Sequence, residues 1–171
     1  MRVLLIIGFL WGLSIHGQEG KLRYNGFYFE PISLHPTNNN YGGLVGFGFG
    51  ASFKSSKHLF RINMVAASQY LSSQDSNPAR YDEIALLYGH KHKVINLLEV
   101  DAFLGAAYFY YNDGVDKTTT SISFPLHTSF RFLVGKKFSL GFSYGLNVNQ
   151  HKPLHRVGFL MHWKSKNKRP Q

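Results

Sequence analysis

A histidine and a serine lie two positions apart near residue 128, and two carboxylates lie about thirty residues before them. These residues are His127, Ser129, Glu99 and Asp101. A serine, a histidine and a carboxylate are the three groups of a hydrolytic triad. In an extended segment His127 and Ser129 point to the same face, so a triad completed by Glu99 or Asp101 from another strand is conceivable.

The His127-x-Ser129 pair is similar to the His-x-Ser pattern on a barrel strand of the outer-membrane lipid A deacylases. That resemblance would imply a lipid hydrolase, but the sequence departs from it twice. No glutamate follows Glu99, and Phe130 stands where the family has asparagine. A lipid hydrolase must also present its nucleophile to the membrane, whereas the strand parity given below points both residues inward. We therefore predict no enzyme and no catalytic residues, and keep a lipid A-modifying hydrolase as an alternative.

The sequence contains little that indicates a metal or cofactor site. The chain has no cysteine, which excludes thiolate ligands and disulfides. His90 and His92 share one face of an extended segment, but a third ligand is missing and the neighbouring Lys91 and Lys93 disfavour a cation. The glycines of 42–50 alternate within a strand and precede no helix, so they form no phosphate-binding loop. We predict no metal and no cofactor.

Side chains alternate with a period of two over most of the chain, which is typical of β-strands. Residues 138–149 show it most clearly, with large apolar side chains at the even positions and Ser, Gly or Asn at the odd ones. Pro31 makes the first strand the weakest. The predicted strands are 27–34, 41–53, 58–70, 81–91, 97–111, 121–134, 138–149 and 155–163.

The two faces of these strands indicate how they are arranged. A lipocalin-like barrel would point its apolar set inward, and a β-sandwich would carry more Lys and Glu outside. Gly and Ser cannot fill a small barrel unless the large residues point outward, which is the transmembrane pattern. Short connections at 54–57, 92–94 and 135–137 alternate with longer ones, as in bacterial barrels. We predict an all-β, eight-stranded, antiparallel up-and-down transmembrane β-barrel that is monomeric.

The last predicted strand carries a second resemblance. Arg156 to Trp163 reads polar–x–Gly–x–x–apolar–x–apolar, with Gly158, Met161 and Trp163 at the defining positions. This resembles the assembly signal that the barrel-insertion machinery recognises, and the chain as a whole resembles the small eight-stranded outer-membrane barrels of the OmpA and OmpX type. The resemblance implies the insertion machinery as a partner and the outer membrane of a Gram-negative bacterium as the location.

The ends of the chain differ in composition from the strands. Residues 1–17 have a positive start and an apolar run too short to span a bilayer, which predicts a cleaved signal peptide; a retained anchor helix is the alternative. The predicted organisation is therefore a signal peptide (1–17), a barrel domain (18–163) and a basic C-terminal tail (164–171).

Charge is distributed unevenly between the two ends of the predicted barrel. The chain carries 19 basic and 9 acidic residues. Most basic residues fall at the short-turn, periplasmic end, where they could contact anionic phosphates of the membrane. An acidic periplasmic partner is the alternative, and nucleic acid is excluded for an exported chain. The predicted periplasmic basic rim consists of Lys54, Lys57, Lys91, Lys93, Lys136, Lys137, Lys164 and Lys166.

Other charged residues fall on inward positions, where they must be paired to be tolerated. The predicted interior charge network consists of Glu30, Arg61, Glu83, Glu99, Asp101, His127, Arg131 and Arg156, with His162 beside it. Counting along the strands places Glu99 nearly opposite Arg131, so we predict a salt bridge between them.

An eight-stranded barrel is just wide enough to be filled by side chains, which predicts a plugged polar lumen. The predicted function is a non-enzymatic structural or interaction role in the cell envelope, with outer-membrane lipid and lipopolysaccharide as its surroundings. A carrier of a small hydrophobic ligand is an alternative. A continuous pocket lined by Phe103, Leu44 and Leu133 would favour it.

Overall fold

The computed structural model describes residues 21–36, 43–69, 78–113, 118–150 and 153–165. They form eight strands and no helix. The strands are β1 (Arg23–His35), β2 (Leu44–Ser55), β3 (His58–Ser68), β4 (Arg80–Ile95), β5 (Leu98–Asn112), β6 (Thr118–Leu133), β7 (Phe138–Val148) and β8 (Leu154–Lys164). Within these ranges nothing is helical, long and apolar enough to cross a membrane.

Each strand pairs antiparallel with its neighbours in sequence, and β1 pairs with β8. This closes the sheet into an up-and-down barrel, as the sequence predicted. The short connections, such as Ser56–Lys57 between β2 and β3, lie at one end of the barrel, which we call the turn end. The longer connections lie at the opposite end, the loop end. The predicted signal peptide and most of the predicted tail, including Lys166, lie outside the described residues.

Two prolines lie within strands at places where the sheet accommodates them. Pro31 lies where β1 changes register against both neighbours, between Glu30 and Ser33 on the β2 side. A bulge is one of the few sheet positions that tolerates proline, which explains why β1 continues through Pro31. On β6, pairing with β5 is interrupted between Ser123 and Leu126, where Pro125 cannot donate a hydrogen bond.

The predicted connection at 92–94 is wrong. β4 continues to Ile95, and the connection to β5 consists of Asn96 and Leu97. The polar run Lys91–Lys93 resembles a turn in sequence. It remains extended because its residues pair with β5, from Lys91 opposite Asp101 to Lys93 opposite Glu99.

Large apolar side chains cover the outside of the barrel. Phe124 is 65% exposed and Leu86 is 64% exposed, whereas Glu30 and Asp101 are 0% and 1% exposed. Water would favour the opposite arrangement, since burying unpaired charge is costly and exposing apolar surface is unfavourable. An apolar exterior around a polar interior is the side-chain distribution of a transmembrane barrel.

Aromatic rings form a band on the outer wall toward the turn end. The Tyr24 and Phe53 ring centroids lie 5.9 Å apart on β1 and β2, and the Phe138 and Trp163 centroids lie 5.1 Å apart on β7 and β8. Such bands occur where a barrel crosses the interface between lipid and water.

Candidate functional site

Most interior charged residues are connected by contacts. In the half of the lumen nearer the turn end, Arg131 on β6 lies at the centre of these contacts. Its guanidinium lies 2.7 Å from Asp101 and 3.2 Å from Glu99, and Nη1 lies 2.8 Å from Nδ1 of His162. Glu99 is directly opposite Arg131 in the β5–β6 register. A planar guanidinium suits this role because it can bond several acceptors at once.

Arg61 on β3 lies across the middle of the lumen. Its guanidinium carbon lies 4.4 Å from the Tyr28 ring centroid and 3.9 Å from the Phe103 ring centroid. The same guanidinium lies 3.6 Å from Asp101 and 3.2 Å from Nδ1 of His127. Because Tyr28, Arg61 and Phe103 come from β1, β3 and β5, the stack spans the lumen rather than lining one wall.

Glu30 and Glu83 carry the negative charge of the loop-end half. The Glu30 carboxylate lies 3.4 Å from Nε2 of His127 and 3.6 Å from Nε of Arg156. Glu83 accepts a hydrogen bond of 2.5 Å from Asn147, and another from the Tyr81 hydroxyl. The structure therefore links Glu30 and Arg156 to the turn-end residues through His127 and Arg61, while Glu83 is held by Tyr81 and Asn147.

Interior glycines make room for these large side chains. A Cβ built at Gly50 would lie 2.5 Å from the Tyr28 ring, and one built at Gly89 would lie 2.5 Å from the Phe103 ring. Both positions would therefore collide with the rings on either side of Arg61. Lumen glycine and lumen charge are parts of one packing arrangement.

A small cavity lies among the inward side chains of the described strands. The cavity beside His35, Asn63, Glu83 and Arg156 offers about 20 Å³ to a water-sized molecule. That is space for roughly one water. Leu44 packs in an apolar cluster toward the loop end and Phe103 packs in a separate one, so they do not line one continuous pocket.

The two residues of the considered triad have different partners. Ser129 donates a hydrogen bond of 3.2 Å to Asp101, which Arg131 also holds. His127 contacts Glu30 and Arg61 instead. Both side chains are buried in the lumen. Ser129 thus donates to an acceptor already engaged by arginine, and the described hydrogen bonds of His127 go to other residues.

The residues of the predicted basic rim fall into two groups. The Lys91 ammonium lies 3.6 Å from Glu99 and the Lys164 ammonium lies 2.8 Å from the same carboxylate, so both extend the interior network. Strand parity explains this contact for Lys91, which lies opposite Asp101 on an inward position. The remaining described lysines are exposed at the turn end: Lys54, Lys57, Lys93, Lys136 and Lys137.

The residues of the predicted assembly signal lie on both faces of β8. Trp163 points outward, with its ring centroid 6.3 Å from that of Phe27 on β1. Met161 lies outward between Phe29 and Leu140 in the register. Gly158 faces inward, where an added Cβ would lie 3.0 Å from the Glu30 carboxylate.

Several interior residues were not part of the predicted interior charge network. Tyr28, Asn63, Tyr81 and Asn147 are buried, and each contacts or borders the charged groups. Strand parity could have identified Tyr28, Asn63 and Tyr81, since they occupy inward positions, and it had already placed Asn147 on the inward face of its strand without giving it a role.

Solved structures with the same fold are small outer-membrane barrels and a designed barrel. The attachment invasion locus protein Ail of Yersinia pestis matches with a TM-score of 0.58 at 11% identity, covering 86% of this chain and all of Ail. Neisserial surface protein A matches at 0.56 and 15% identity, covering 86% of this chain and 100% of that one. A de novo designed transmembrane β-barrel matches at 0.54 and 16% identity, covering 85% and 99%.

These similarities establish the fold, an eight-stranded transmembrane β-barrel of the outer-membrane type. No protein-family model matches the sequence, and neither does any curated protein. Ail has also been solved with the heparin analogue sucrose octasulfate. The designed barrel shows that this architecture does not depend on a natural function.

Proposed function

We propose that this chain is a non-enzymatic outer-membrane protein of a Gram-negative bacterium with a closed lumen and a structural or interaction role in the envelope. The observation that carries the proposal is the side-chain distribution. Ion pairs and glycine fill the inside, and Phe, Leu and Ile cover the outside. Only a lipid environment makes this arrangement favourable over its inverse.

The closed lumen is supported by the contacts of Arg61. Its position between Tyr28 and Phe103 places two rings and a guanidinium across the barrel axis. The ion pairs around Arg131 add a second layer toward the turn end. A hydrated ion would have to displace both layers, so we expect conductance to be negligible. The same layers disfavour a carrier, since a drug-sized ligand needs a pocket of about 300 Å³ or more.

The exposed lysines of the turn end support an interaction with an anionic surface. Lys54 and Lys57 lie at the β2–β3 connection, and Lys136 and Lys137 lie at the β6–β7 connection on the opposite side of the barrel. Lysine near a membrane surface attracts anionic lipid headgroups by about 1 kcal/mol each. We propose the headgroups of the periplasmic leaflet as the main partner, with an acidic periplasmic protein as the alternative.

The first experiment is membrane fractionation of the full-length chain, followed by electrophoresis with and without boiling. We expect recovery in the outer membrane fraction. We also expect the boiled and the unboiled samples to migrate differently. A soluble product with no heat-dependent shift would refute the barrel assignment in the cell.

The second experiment measures conductance of the purified barrel in planar lipid bilayers. The wild type should show no steady open state, and the Tyr28→Ala/Phe103→Ala variant should conduct because both rings beside Arg61 are removed. The matched control is Phe142→Ala, which removes an outward ring and leaves the lumen filled. Steady conductance by the wild type would refute the closed lumen while leaving the membrane location intact.

A further inference from the structure

Two histidines on neighbouring strands come together on the outer wall at the turn end. The β3–β4 register pairs Leu59 with Gly89, which places His58 of β3 opposite His90 of β4. Their ring centroids lie 5.5 Å apart. The sequence alone offered His90 and His92 as a pair on one strand, and the register adds His58 from thirty residues away.

Both imidazoles are directed at one hydroxyl group. Nδ1 of His58 lies 2.6 Å from the Tyr88 hydroxyl oxygen, and Nε2 of His90 lies 3.3 Å from the same oxygen. A phenol has one hydrogen to donate, so one histidine accepts it and the other donates its own N–H. Two ring nitrogens from two strands therefore converge on a single point held by rigid backbone.

We propose that His58 and His90 form a surface site for a divalent first-row transition metal, with Tyr88 beside it. Imidazole nitrogen suits Cu²⁺, Ni²⁺ and Zn²⁺, whereas Ca²⁺ and Mg²⁺ prefer oxygen ligands. The Tyr88 hydroxyl, whose described hydrogen bonds are to these two rings, must turn aside to admit the ion, and its ring also packs 5.5 Å from that of Phe60. Either imidazole then needs a modest rotation to place its nitrogen about 2.1 Å from the ion.

The site has two protein ligands and leaves coordination positions open. Within the described residues no three His, Asp or Glu side chains are placed to hold a metal, so water or a partner's ligand completes the shell. His92 lies on the same outward face as His90, one step toward the turn. The nearby charge of Lys91 is offset because its ammonium turns inward to within 3.6 Å of Glu99.

The test is a metal titration of the untagged barrel refolded in detergent micelles. Cu²⁺, Ni²⁺, Zn²⁺ and Mg²⁺ are added separately and heat is recorded by calorimetry. We expect the wild type to bind one Cu²⁺ most tightly, in the Irving–Williams order, and to bind no Mg²⁺. Paramagnetic resonance of the Cu²⁺ complex should show coupling to two nitrogens.

The variants His58→Phe and His90→Phe keep a ring at each position and remove its nitrogens, so each should weaken Cu²⁺ binding at least tenfold. The matched control is His155→Phe. His155 Nδ1 lies 2.7 Å from the Tyr144 hydroxyl, which is the same histidine–tyrosine contact with one imidazole instead of two. An unchanged heat-dependent gel shift confirms that each variant is folded.

The proposal is overturned by the absence of Cu²⁺ binding by the wild type, by full binding by both His58→Phe and His90→Phe, or by an equal loss of binding in His155→Phe. A coupling to one nitrogen would also contradict it. The variant Tyr88→Phe tests whether the hydroxyl is a ligand. Retained Cu²⁺ binding would support the two imidazoles as the ligands, and lost Cu²⁺ binding would contradict the two-histidine assignment.

Discussion

Replacement of Arg131 by methionine should strongly destabilise the barrel, because this guanidinium holds two buried carboxylates. It contacts Asp101 at 2.7 Å and Glu99 at 3.2 Å. Methionine has a similar length and keeps the packing, so the variant tests the charge. After its removal Glu99 still has Lys164 at 2.8 Å, whereas Asp101 keeps the Ser129 hydroxyl at 3.2 Å and, as its described cationic partner, Arg61 at 3.6 Å.

The expected loss follows from those remaining contacts. Removing one partner of a buried ion pair costs about 3–5 kcal/mol. Because Glu99 stays neutralised and Asp101 retains one distant arginine, we expect about 3 kcal/mol for Arg131→Met. Adding Asp101→Asn removes the uncompensated charge, so the double variant should be more stable than the sum of the two single changes predicts, with a coupling of about 1–3 kcal/mol.

The assay is urea unfolding of the barrel in lipid vesicles, followed by tryptophan emission. Trp163 is the only tryptophan outside residues 1–17, and it reports on the β7–β8–β1 wall. The matched control is Lys137→Met, which removes an exposed charge at the turn end. A loss for Arg131→Met below about 1 kcal/mol, the range of exposed ion pairs, would refute the buried-network reasoning. So would strict additivity with Asp101→Asn.

Two further perturbations test the packing and the membrane orientation. Gly50→Val should prevent folding or destabilise the barrel severely, because its Cβ would lie 2.5 Å from the Tyr28 ring. Gly135→Val should fold normally, because nothing lies within 4 Å of its Cβ. Equal yields of heat-shifted protein from the two variants would contradict this reasoning. Leu104→Arg, near the middle of β5 and 52% exposed, should cost about 2–4 kcal/mol in lipid, and Val94→Arg at the turn end should cost about 0–1 kcal/mol. Equal costs in vesicle unfolding would show that the outer wall of β5 does not face hydrocarbon.

Much of the fold could be predicted because period two survives in nearly every strand. Parity placed Glu99 and Arg131 on the same face, and the counted register put them opposite each other, as they are in the β5–β6 pairing. The same rule separated outward Phe142 from inward Ser143. These are local properties of a chain in which one face must meet lipid and the other must not.

Contacts between strands that are not sequence neighbours could not be predicted. Arg61, Tyr28 and Phe103 come from three strands, and their meeting depends on barrel shear and on the bulge after Glu30. The continuation of β4 past Lys91 was missed for a related reason. The polar segment Lys91–Lys93 resembles a turn when it is considered alone. It is extended because it pairs with β5, where Glu99 lies opposite Lys93 and contacts Lys91.

The interior glycines and the interior charges depend on each other in a way that limits how this lumen could change. Removing the ring of Tyr28 or Phe103 would leave a void beside Arg61, because Gly50 and Gly89 supply no side chain to fill it. A side chain at either glycine would collide with the adjacent ring and displace it from Arg61. Opening the lumen therefore requires the coordinated removal of both rings that flank Arg61. A channel or carrier would need that coordinated change, whereas a closed barrel that acts through its outer wall and its turn end does not.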